Sequence, residues 1–185
     1  MKARKIIAIA GMPGSGKSLI SKAALTLNIP VYSCGDVIRE EAVKKELPLT
    51  YESLSKIMIE IREENGLAAV IKKLIPKLKE EKSRVIVVEG IRSRAEVEEL
   101  KNYFKSVKVL AVHSPPKVRF KRLKMRGRED DPKTYMDFQS RDEKELKIGI
   151  GEVIALADKI IINEGLMKNF FLEALNILME IKKDE

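Results

Sequence analysis

The sequence feature that most constrains the fold is an octapeptide, residues 11–18, that reads Gly-Met-Pro-Gly-Ser-Gly-Lys-Ser. It matches the pattern G-x-x-x-x-G-K-[ST], in which glycines let successive backbone N–H groups point inward at phosphate oxygens. An apolar run at residues 6–10 precedes the loop, and a helical apolar stripe from Leu19 to Leu27 follows it. This strand, loop and helix context is the one that the motif requires, so we expect the loop to bind a nucleoside triphosphate.

The chemistry of the loop predicts its ligands. Lys17 opens a helix whose N-terminal dipole favours anions, and its ammonium can reach the β- and γ-phosphates. The Ser18 hydroxyl is placed to ligate Mg²⁺. We therefore expect ATP and Mg²⁺ as cofactors. The residues that would cradle the phosphates are Gly11, Gly14, Ser15 and Gly16.

Four further apolar runs of strand length follow, with helical segments between and after them. Continuous apolar runs are typical of strands in a parallel sheet that is covered on both faces. The predicted fold class is therefore α/β, a P-loop NTPase fold with a five-stranded parallel sheet and helices on both faces. Ligands bind such sheets at the carboxyl ends of the strands. The predicted strands are 5–10, 30–33, 85–88, 107–112 and 159–162.

Length and composition predict one compact domain. A chain of 185 residues with 44% hydrophobic residues can build a single core, so we expect one domain over 1–185. Two stretches look like excursions from that core: the charged helical stretch 36–80, and 126–150. No apolar run approaches the roughly 20 residues of a membrane span, which predicts a soluble cytoplasmic protein without a cleaved signal and without a membrane partner. The single cysteine, Cys34, excludes an internal disulfide, and we expect it to be a small buried residue.

The charge of the chain has two explanations. The 36 lysines and arginines outnumber the 28 acidic residues, which gives a net charge of +8. The excess suits either a nucleic-acid partner or a phosphate-rich small ligand. Aromatic residues make up only 5% of the chain and none cluster within its basic run, so the stacking surface expected for single-stranded nucleic acid is not evident. We expect a small-molecule nucleotide substrate rather than nucleic acid.

Polar segments follow three of the predicted strands and carry a resemblance to a known family. Residues 33–39 read Ser-Cys-Gly-Asp-Val-Ile-Arg, 89–93 read Glu-Gly-Ile-Arg-Ser, and 163–165 read Asn-Glu-Gly. With the phosphate-binding loop, the first two segments resemble the adenylate kinase superfamily of nucleoside monophosphate kinases. Over its full length the chain is similar to a family of archaeal adenylate-kinase-related proteins.

The resemblance implies roles for residues after the second and third strands. Arg39 and Arg92 would clamp the phosphate of the acceptor, and Asp36 would lie beside the acceptor and the waters of the metal. Glu89 would help to position Mg²⁺. The chain departs from the family in having Glu89 where an Asp is usual, and it lacks the proline that normally precedes the arginine. Residues 36–80 would form the monophosphate-binding excursion, and 126–150 the lid.

The densest basic segment covers residues 117–128, where seven of twelve residues are lysine or arginine. On a helix that begins near Pro115, Phe120 and Leu123 would face inward, and Arg119 would share another face with two further arginines, Arg122 and Arg126. Arginine binds phosphate oxygens in a bidentate manner, which suits a transferring phosphoryl group. The resemblance implies that four residues surround that group: Arg122, Arg126, Arg128 and Arg141.

The acceptor has three candidate classes. A nucleoside monophosphate such as AMP presents an anionic oxygen and needs no general base, whereas a hydroxyl acceptor needs one, and Asp36 is the candidate base. Residues 155–165 resemble the corresponding segment of dephospho-coenzyme A kinases, which favours a hydroxyl acceptor. A polynucleotide kinase or RNA-associated ATPase is the third class. Asn163 would either cap the terminal helix or contact adenine. The sequence leaves open the choice between ATP and GTP and the oligomeric state.

Overall fold

A computed structural model of the protein describes residues 4–183, so the first three and last two residues of the predicted domain lie outside it. The described chain alternates strands with helices. The strands are β1 (Lys5–Ala10), β2 (Val31–Ser33), β3 (Val85–Ile91), β4 (Ser106–His113) and β5 (Lys159–Ile162). The helices are α1 (Lys17–Thr26), α2 (Cys34–Lys44), α3 (Tyr51–Asn65), α4 (Ala69–Glu80), α5 (Arg94–Tyr103), α6 (Pro116–Arg126), α7 (Tyr135–Ile148), α8 (Ile150–Ala155) and α9 (Met167–Lys183).

The strands form one sheet in the order β2-β3-β1-β4-β5, and every neighbouring pair is parallel. Because all strands run in one direction, their carboxyl ends share one edge, and the phosphate-binding loop leaves the central strand at that edge. The predicted five-stranded parallel sheet with helices on both faces is confirmed.

The side chains of β1 point alternately to the two faces of the sheet and contribute to a hydrophobic core on each face. Ile6 and Ala8 face one core, where side chains from α2, α3, α4, α5 and α8 cover the sheet. Ile7 and Ile9 face the other, where side chains from α1 and α9 cover it. All four of these side chains are 0% exposed. Burying a strand on both faces requires apolar residues at successive positions, which explains its unbroken run of Ile and Ala.

β3 is longer than the sequence predicts. The strand was expected to end at residue 88 with a polar segment after it, but it continues to Ile91. Glu89 therefore lies within the sheet, opposite Ile9 of β1 and Ser33 of β2. Parallel pairing uses backbone groups, so a carboxylate near the carboxyl end does not stop the strand. The pairing fixes the Glu89 backbone at the edge where the loop begins.

The charged stretch 36–80 is divided among three helices. Thr50 caps the start of α3 by accepting a hydrogen bond from the backbone of Ser53, and Gly66 ends α3 with a positive φ of 81°. Of the three, α4 buries the most apolar side chains, and Leu74 and Leu78 join the core that contains β1 and β3. Residues of α2 and α3 line a cavity at the edge of the sheet that carries the loop, whereas no residue of α4 is among its described lining residues.

The helices and Cys34 can also be compared with the predictions from the sequence. Among the helices between residues 4 and 183, none combines the length and hydropathy needed to cross a membrane. Cys34 is 0% exposed at the start of α2, as expected, and burial raises the pKa of its thiol.

Candidate active site

The glycines of the phosphate-binding loop are required by its own backbone and by its neighbours. β1 ends at Ala10 and α1 begins at Lys17, so the loop caps the carboxyl end of the central strand. Gly14 and Gly16 have φ angles of 78° and 108°, a region that other residues disfavour. A Cβ atom at Gly16 would lie 2.1 Å from Nδ2 of Asn163. The loop therefore excludes a larger residue at this position.

The carbonyl oxygen of Ser15 anchors the loop to the ends of two strands. It accepts hydrogen bonds from Asn163 Nδ2 at 2.8 Å and from Ser114 Oγ at 3.2 Å. Arg122 donates in turn to the side-chain oxygen of Asn163 at 3.1 Å. Asn163 is only 1% exposed, so this network belongs to the interior. Residues just after β4 and β5, together with α6, thus hold the loop in shape.

The Ser15 hydroxyl is an orphaned polar group inside the loop. The residue is 0% exposed, and its Oγ has no hydrogen-bond partner among the described residues. An unpaired buried hydroxyl costs free energy, which a hydrogen bond from this group to a phosphate oxygen would recover. The loop therefore fits a phosphate on a structural criterion that is independent of the motif.

The side chain of Lys17 folds back over its own loop. Its Nζ donates to the carbonyl oxygen of Gly11 at 2.6 Å and to that of Met12 at 3.2 Å. Burial lowers the pKa of Lys17 to about 8, although the carboxylate of Glu89 opposes the shift. A phosphate at the loop would add negative charge beside this ammonium and raise its pKa again.

Two cavities meet at the loop. The first, here called the α1 cavity, includes Gly16, Ser18, Leu19, Asp36, Arg122, Asn163 and Met167 among its lining residues. The second, here called the α3 cavity, includes Ile38, Tyr51, Leu54, Ser55, Met58, Arg92, Asp130, Arg141, Lys144, Glu145 and Ile150. The residues that line both cavities are Gly14, Lys17, Ser33, Arg39, Glu89, Arg126 and Arg128.

The predicted site residues divide between these cavities. Arg92 and Arg141 line the α3 cavity only, and Arg122 lines the α1 cavity only. Asp36 lies at the α1 cavity and not at the α3 cavity, whereas its ion-pair partner Arg39 lines both. The structure thus brings the predicted arginines together around the loop but separates Asp36 from the cavity that holds Arg92.

One of the two alternatives for Asn163 is wrong. α9 begins at Met167, four residues further on, so Asn163 does not cap it. The side chain instead braces the loop, because Ser15 offers it a buried acceptor. Asn163 also lines the α1 cavity, and its contact with adenine stays a prediction.

Four of the site arginines form ion pairs with Asp or Glu side chains of the protein itself. The Arg92 Nε donates to Glu145 of α7 at 2.6 Å, and Glu145 is 4% exposed. Burial alone would raise the pKa of Glu145, but the adjacent guanidinium outweighs it and holds this pKa below its ordinary value. An incoming phosphate therefore meets arginines that are already oriented. The pairs are Arg39 with Asp36, Arg92 with Glu145, Arg126 with Asp131, and Arg141 with Asp130.

The oxygen atoms near the loop suit a hydrated magnesium ion. Ser18 lines the α1 cavity, and Glu89 lines both cavities while its carboxylate accepts a hydrogen bond from Ser21 of α1. Residues 4–183 contain no cluster of three or more His, Cys, Asp or Glu side chains that would hold a metal alone. Mg²⁺ is usually held by one or two protein oxygens, substrate phosphates and waters, so Ser18 and Glu89 fit this ion.

Arg119 shares a face of α6 with Arg122, as expected, because both side chains donate hydrogen bonds to Ser114. The structure adds that Arg119 is buried, with 4% of its surface exposed. Its guanidinium donates to the carbonyl oxygen of Pro13 in the loop and forms a bidentate pair with Asp142 of α7. Arg119 lies four residues before Leu123, which was expected to face inward, so the two side chains share a face of the helix. This spacing could have predicted the burial of Arg119. A buried arginine is stable here because its donors have partners.

Apart from Arg141, the sequence analysis did not identify the residues that α7 contributes to the site. Glu145 and Asp142 of this helix hold Arg92 and Arg119, and Lys144 lines the α3 cavity. Phe138 packs against Phe120 of α6, with ring centroids 5.5 Å apart. Acidic residues and lysines are interspersed along α7, a pattern that is typical of a solvent-exposed helix face. The partners of Glu145 and Asp142 lie more than 20 residues away in sequence, and no local pattern marks them.

Comparisons with known proteins bear on the family and the fold of this chain. A family model described as an AAA domain matches residues 10–139. A UPF0200 protein of Pyrococcus abyssi is 52% identical over 169 residues, which cover 89% of this chain and 90% of the relative. A UPF0200 protein of Thermococcus kodakarensis is 43% identical over 180 residues, covering 95% of this chain and 97% of that one.

Solved structures of two kinases share the fold. A shikimate kinase from Bacteroides thetaiotaomicron superposes with a TM-score of 0.66 at 18% identity, covering 97% of this chain and 98% of that one. A gluconokinase from Sinorhizobium meliloti 1021 superposes with a TM-score of 0.57 at 18% identity, covering 100% of this chain and 97% of that one. At this identity the likeness shows a common P-loop kinase fold and nothing about the substrate. The identity to its relatives over nearly the whole chain shows that this protein belongs to the UPF0200 family.

Proposed function

We propose that this protein transfers the γ-phosphoryl group of ATP to the phosphate of a nucleoside monophosphate such as AMP. ATP would lie in the α1 cavity with its phosphates in the loop, and the acceptor would lie in the α3 cavity. The observation that carries the proposal is that the loop residue Lys17 and three arginines line both cavities. Two ligands bound in these cavities would therefore meet at a cluster of positive charge. The three arginines are Arg39, Arg126 and Arg128.

The chemistry of the step matches the charges at this meeting point. An oxygen of the acceptor phosphate attacks the γ-phosphorus, the bond to the β–γ bridging oxygen breaks, and ADP leaves with that electron pair. Negative charge builds on the equatorial oxygens of the transferring group, and catalysis consists of stabilising it. Lys17, Arg126 and Arg128 would do so, and this assignment is supported by their lining both cavities. Arg92 and Arg141 would hold the acceptor phosphate.

The carboxylates favour a phosphate acceptor over a hydroxyl acceptor. A hydroxyl needs a general base, and Asp36, the candidate from the sequence, does not line the α3 cavity. Glu145 and Asp130 do line it, but each is paired with an arginine. Glu89 is the remaining carboxylate there, and it accepts a hydrogen bond from Ser21. A phosphate oxygen is already anionic near neutral pH, so it needs none of these groups as a base.

Magnesium would be held by Ser18 and Glu89 together with phosphate oxygens of the nucleotide and water molecules. When bound, the ion would neutralise charge that develops on those phosphates. We further propose that residues 36–80 form the monophosphate-binding excursion, with α2 and α3 facing the acceptor, and that residues 126–150 act as the lid. This assignment is supported by the contribution of α2, α3 and α7 to the lining of the α3 cavity.

A screen with γ-labelled ATP tests the proposal. The full chain, ATP and Mg²⁺ are incubated separately with AMP, other nucleoside monophosphates, dephospho-coenzyme A, shikimate and RNA ends. We expect label in nucleoside diphosphates and none in the hydroxyl acceptors, with Lys17→Ala as the inactive control. Label only in dephospho-coenzyme A or another hydroxyl compound would overturn the proposal. Label on RNA would support the nucleic-acid class instead.

A further inference from the structure

One helix supplies a continuous wall of the α3 cavity. Tyr51, Leu54, Ser55 and Met58 all belong to α3 and line this cavity. Residues three and four apart share one face of a helix, so these side chains form a single strip. Ile38 of α2 and Ile150 of α8 also line the cavity, and both are largely buried. The cavity thus has an apolar part in addition to its arginines.

The apolar strip begins beside the cations of α7. The guanidinium carbon of Arg141 lies 5.3 Å from the centroid of the Tyr51 ring, and Nζ of Lys144 lies 5.0 Å from it. Such cation–π contacts hold the ring against the charged groups. A ligand with an anionic group joined to a planar aromatic body, whose faces are apolar, therefore finds both environments next to each other, and a nucleoside monophosphate has this form.

Hydroxyls supply the neutral polar side chains of this cavity. They belong to Ser33, Tyr51 and Ser55, and no Asn, Gln or His occurs among the described residues that line it. Ser55 is 7% exposed and is one of the residues that line the cavity. A hydroxyl can rotate to donate or to accept, whereas an amide presents fixed donors and acceptors. Hydroxyl side chains therefore do not distinguish a base that presents an amino group from one that presents a keto group.

We infer that the α3 cavity accepts nucleoside monophosphates with little discrimination between their bases. This inference rests on the proposed function and names its acceptor class. The phosphate is recognised by arginine, and the base is recognised by apolar contact with Leu54 and Met58 and by adaptable hydroxyls. A site built on fixed hydrogen-bond partners can reject a mismatched analogue by ~10⁴-fold. Here the values of kcat/KM for AMP, GMP, CMP and UMP should agree to within about tenfold.

The test is a comparison of five acceptors with saturating ATP and Mg²⁺ on the full chain. Ribose 5-phosphate, which has no base, joins the four monophosphates. We expect its kcat/KM to fall at least about tenfold below theirs, because it forgoes the burial of a base. A preference of about 100-fold or more for one base overturns the inference and leaves the proposed function standing. Equal turnover of ribose 5-phosphate overturns it as well. No transfer to any acceptor overturns the proposed function and the inference together.

A pair of serine variants gives a second measurement. Ser55→Ala should lower kcat/KM for all four monophosphates by a similar factor and should leave the KM for ATP unchanged. Ser140→Ala is the matched control, because Ser140 is exposed on α7 and does not line the cavity. A loss confined to one base in Ser55→Ala would contradict the inference, since it would show that this hydroxyl reads base identity.

Discussion

Arg92 donates from Nε to a carboxylate oxygen of Glu145 over 2.6 Å, and this ion pair joins the residue after β3 to helix α7. The backbone N–H of Arg92 is also held, by a hydrogen bond to Glu96 of α5. Glu96 in turn receives a hydrogen bond from Arg62 of α3, and both of these residues are buried. Three helices thus fix the position of one arginine of the α3 cavity.

Glu145→Gln should destabilise the protein and weaken its binding of the acceptor. Removing the charge leaves the Arg92 guanidinium with an uncompensated positive charge, and breaking a buried pair costs about 3 kcal/mol. Thermal unfolding and steady-state kinetics measure the two effects, and we expect the KM of the acceptor to rise more than that of ATP. Glu143→Gln, at an exposed position of the same helix, is the control. An unchanged acceptor KM would show that Glu145 does not position Arg92.

ATP binding should take up a proton near pH 9. The pKa of Lys17 is about 8 in the structure, so much of the free protein carries a neutral amine at that pH. The phosphates raise this pKa, and the amine then binds a proton. Calorimetry in two buffers of different ionisation enthalpy measures the uptake. It should vanish in Lys17→Arg, which stays charged, and a persistent uptake in that variant would assign the proton to another group.

The same group makes stability depend on pH. Lys17 has a folded pKa below its ordinary value of 10.5, so between about pH 8 and pH 10.5 the unfolded chain binds more protons than the folded one. The free energy of unfolding therefore rises with pH in this window. Below pH 8 Lys17 is protonated in both the folded and the unfolded chain, and the folded state bears the full free-energy cost of burying the charged ammonium. Denaturant unfolding of the wild type against Lys17→Met should show a difference that shrinks from pH 8 to pH 10.5.

Asn163→Ala should weaken ATP binding through the loop. The change removes the hydrogen bond to the Ser15 carbonyl and leaves a buried acceptor with fewer donors, which costs about 1–3 kcal/mol. Asn169→Ala, at an exposed position of α9, is the control. Equilibrium binding of ATP and thermal unfolding check both effects. If ATP affinity stays at the wild-type value while stability falls, the hydrogen bond from Asn163 to Ser15 stabilises the fold and does not contribute to ATP binding.

Substitution of Arg39 should impair acceptor binding, whereas substitution of Asp36 should have little effect on kcat. Arg39→Ala should raise the KM of the acceptor by about tenfold or more, because a charge-assisted contact with phosphate is lost. Asp36→Asn should change kcat by less than about threefold, because a phosphate acceptor requires no base. Arg94→Ala, an exposed pair member on α5, is the control for loss of charge. A large fall in kcat for Asp36→Asn would support the hydroxyl acceptor.

The sequence predicts most of the fold because its strands are short apolar runs between clear breakers. The glycine loop, the parallel sheet and the gathering of Arg39 and Arg92 at one edge all follow from local patterns, whereas the strand order β2-β3-β1-β4-β5 comes from the structure alone. The partners of the arginines do not follow from local patterns either. Glu145 contacts Arg92 across 53 residues of chain, and nothing in the spacing of α7 marks it. The ion pair of Arg119 with Asp142, 23 residues further along the chain, likewise has no local signal in the sequence.

The bracing of the Ser15 carbonyl by Asn163 and Ser114 has a consequence for the thermodynamics of ligand binding. A glycine-rich segment has high conformational entropy when it is free, and a flexible loop would lose that entropy each time a nucleotide binds. In this protein the ordering occurs once, during folding, and side chains from outside the loop maintain it. Nucleotide affinity then depends on contacts with phosphate rather than on the ordering of the chain, which is the thermodynamic meaning of a preorganised site.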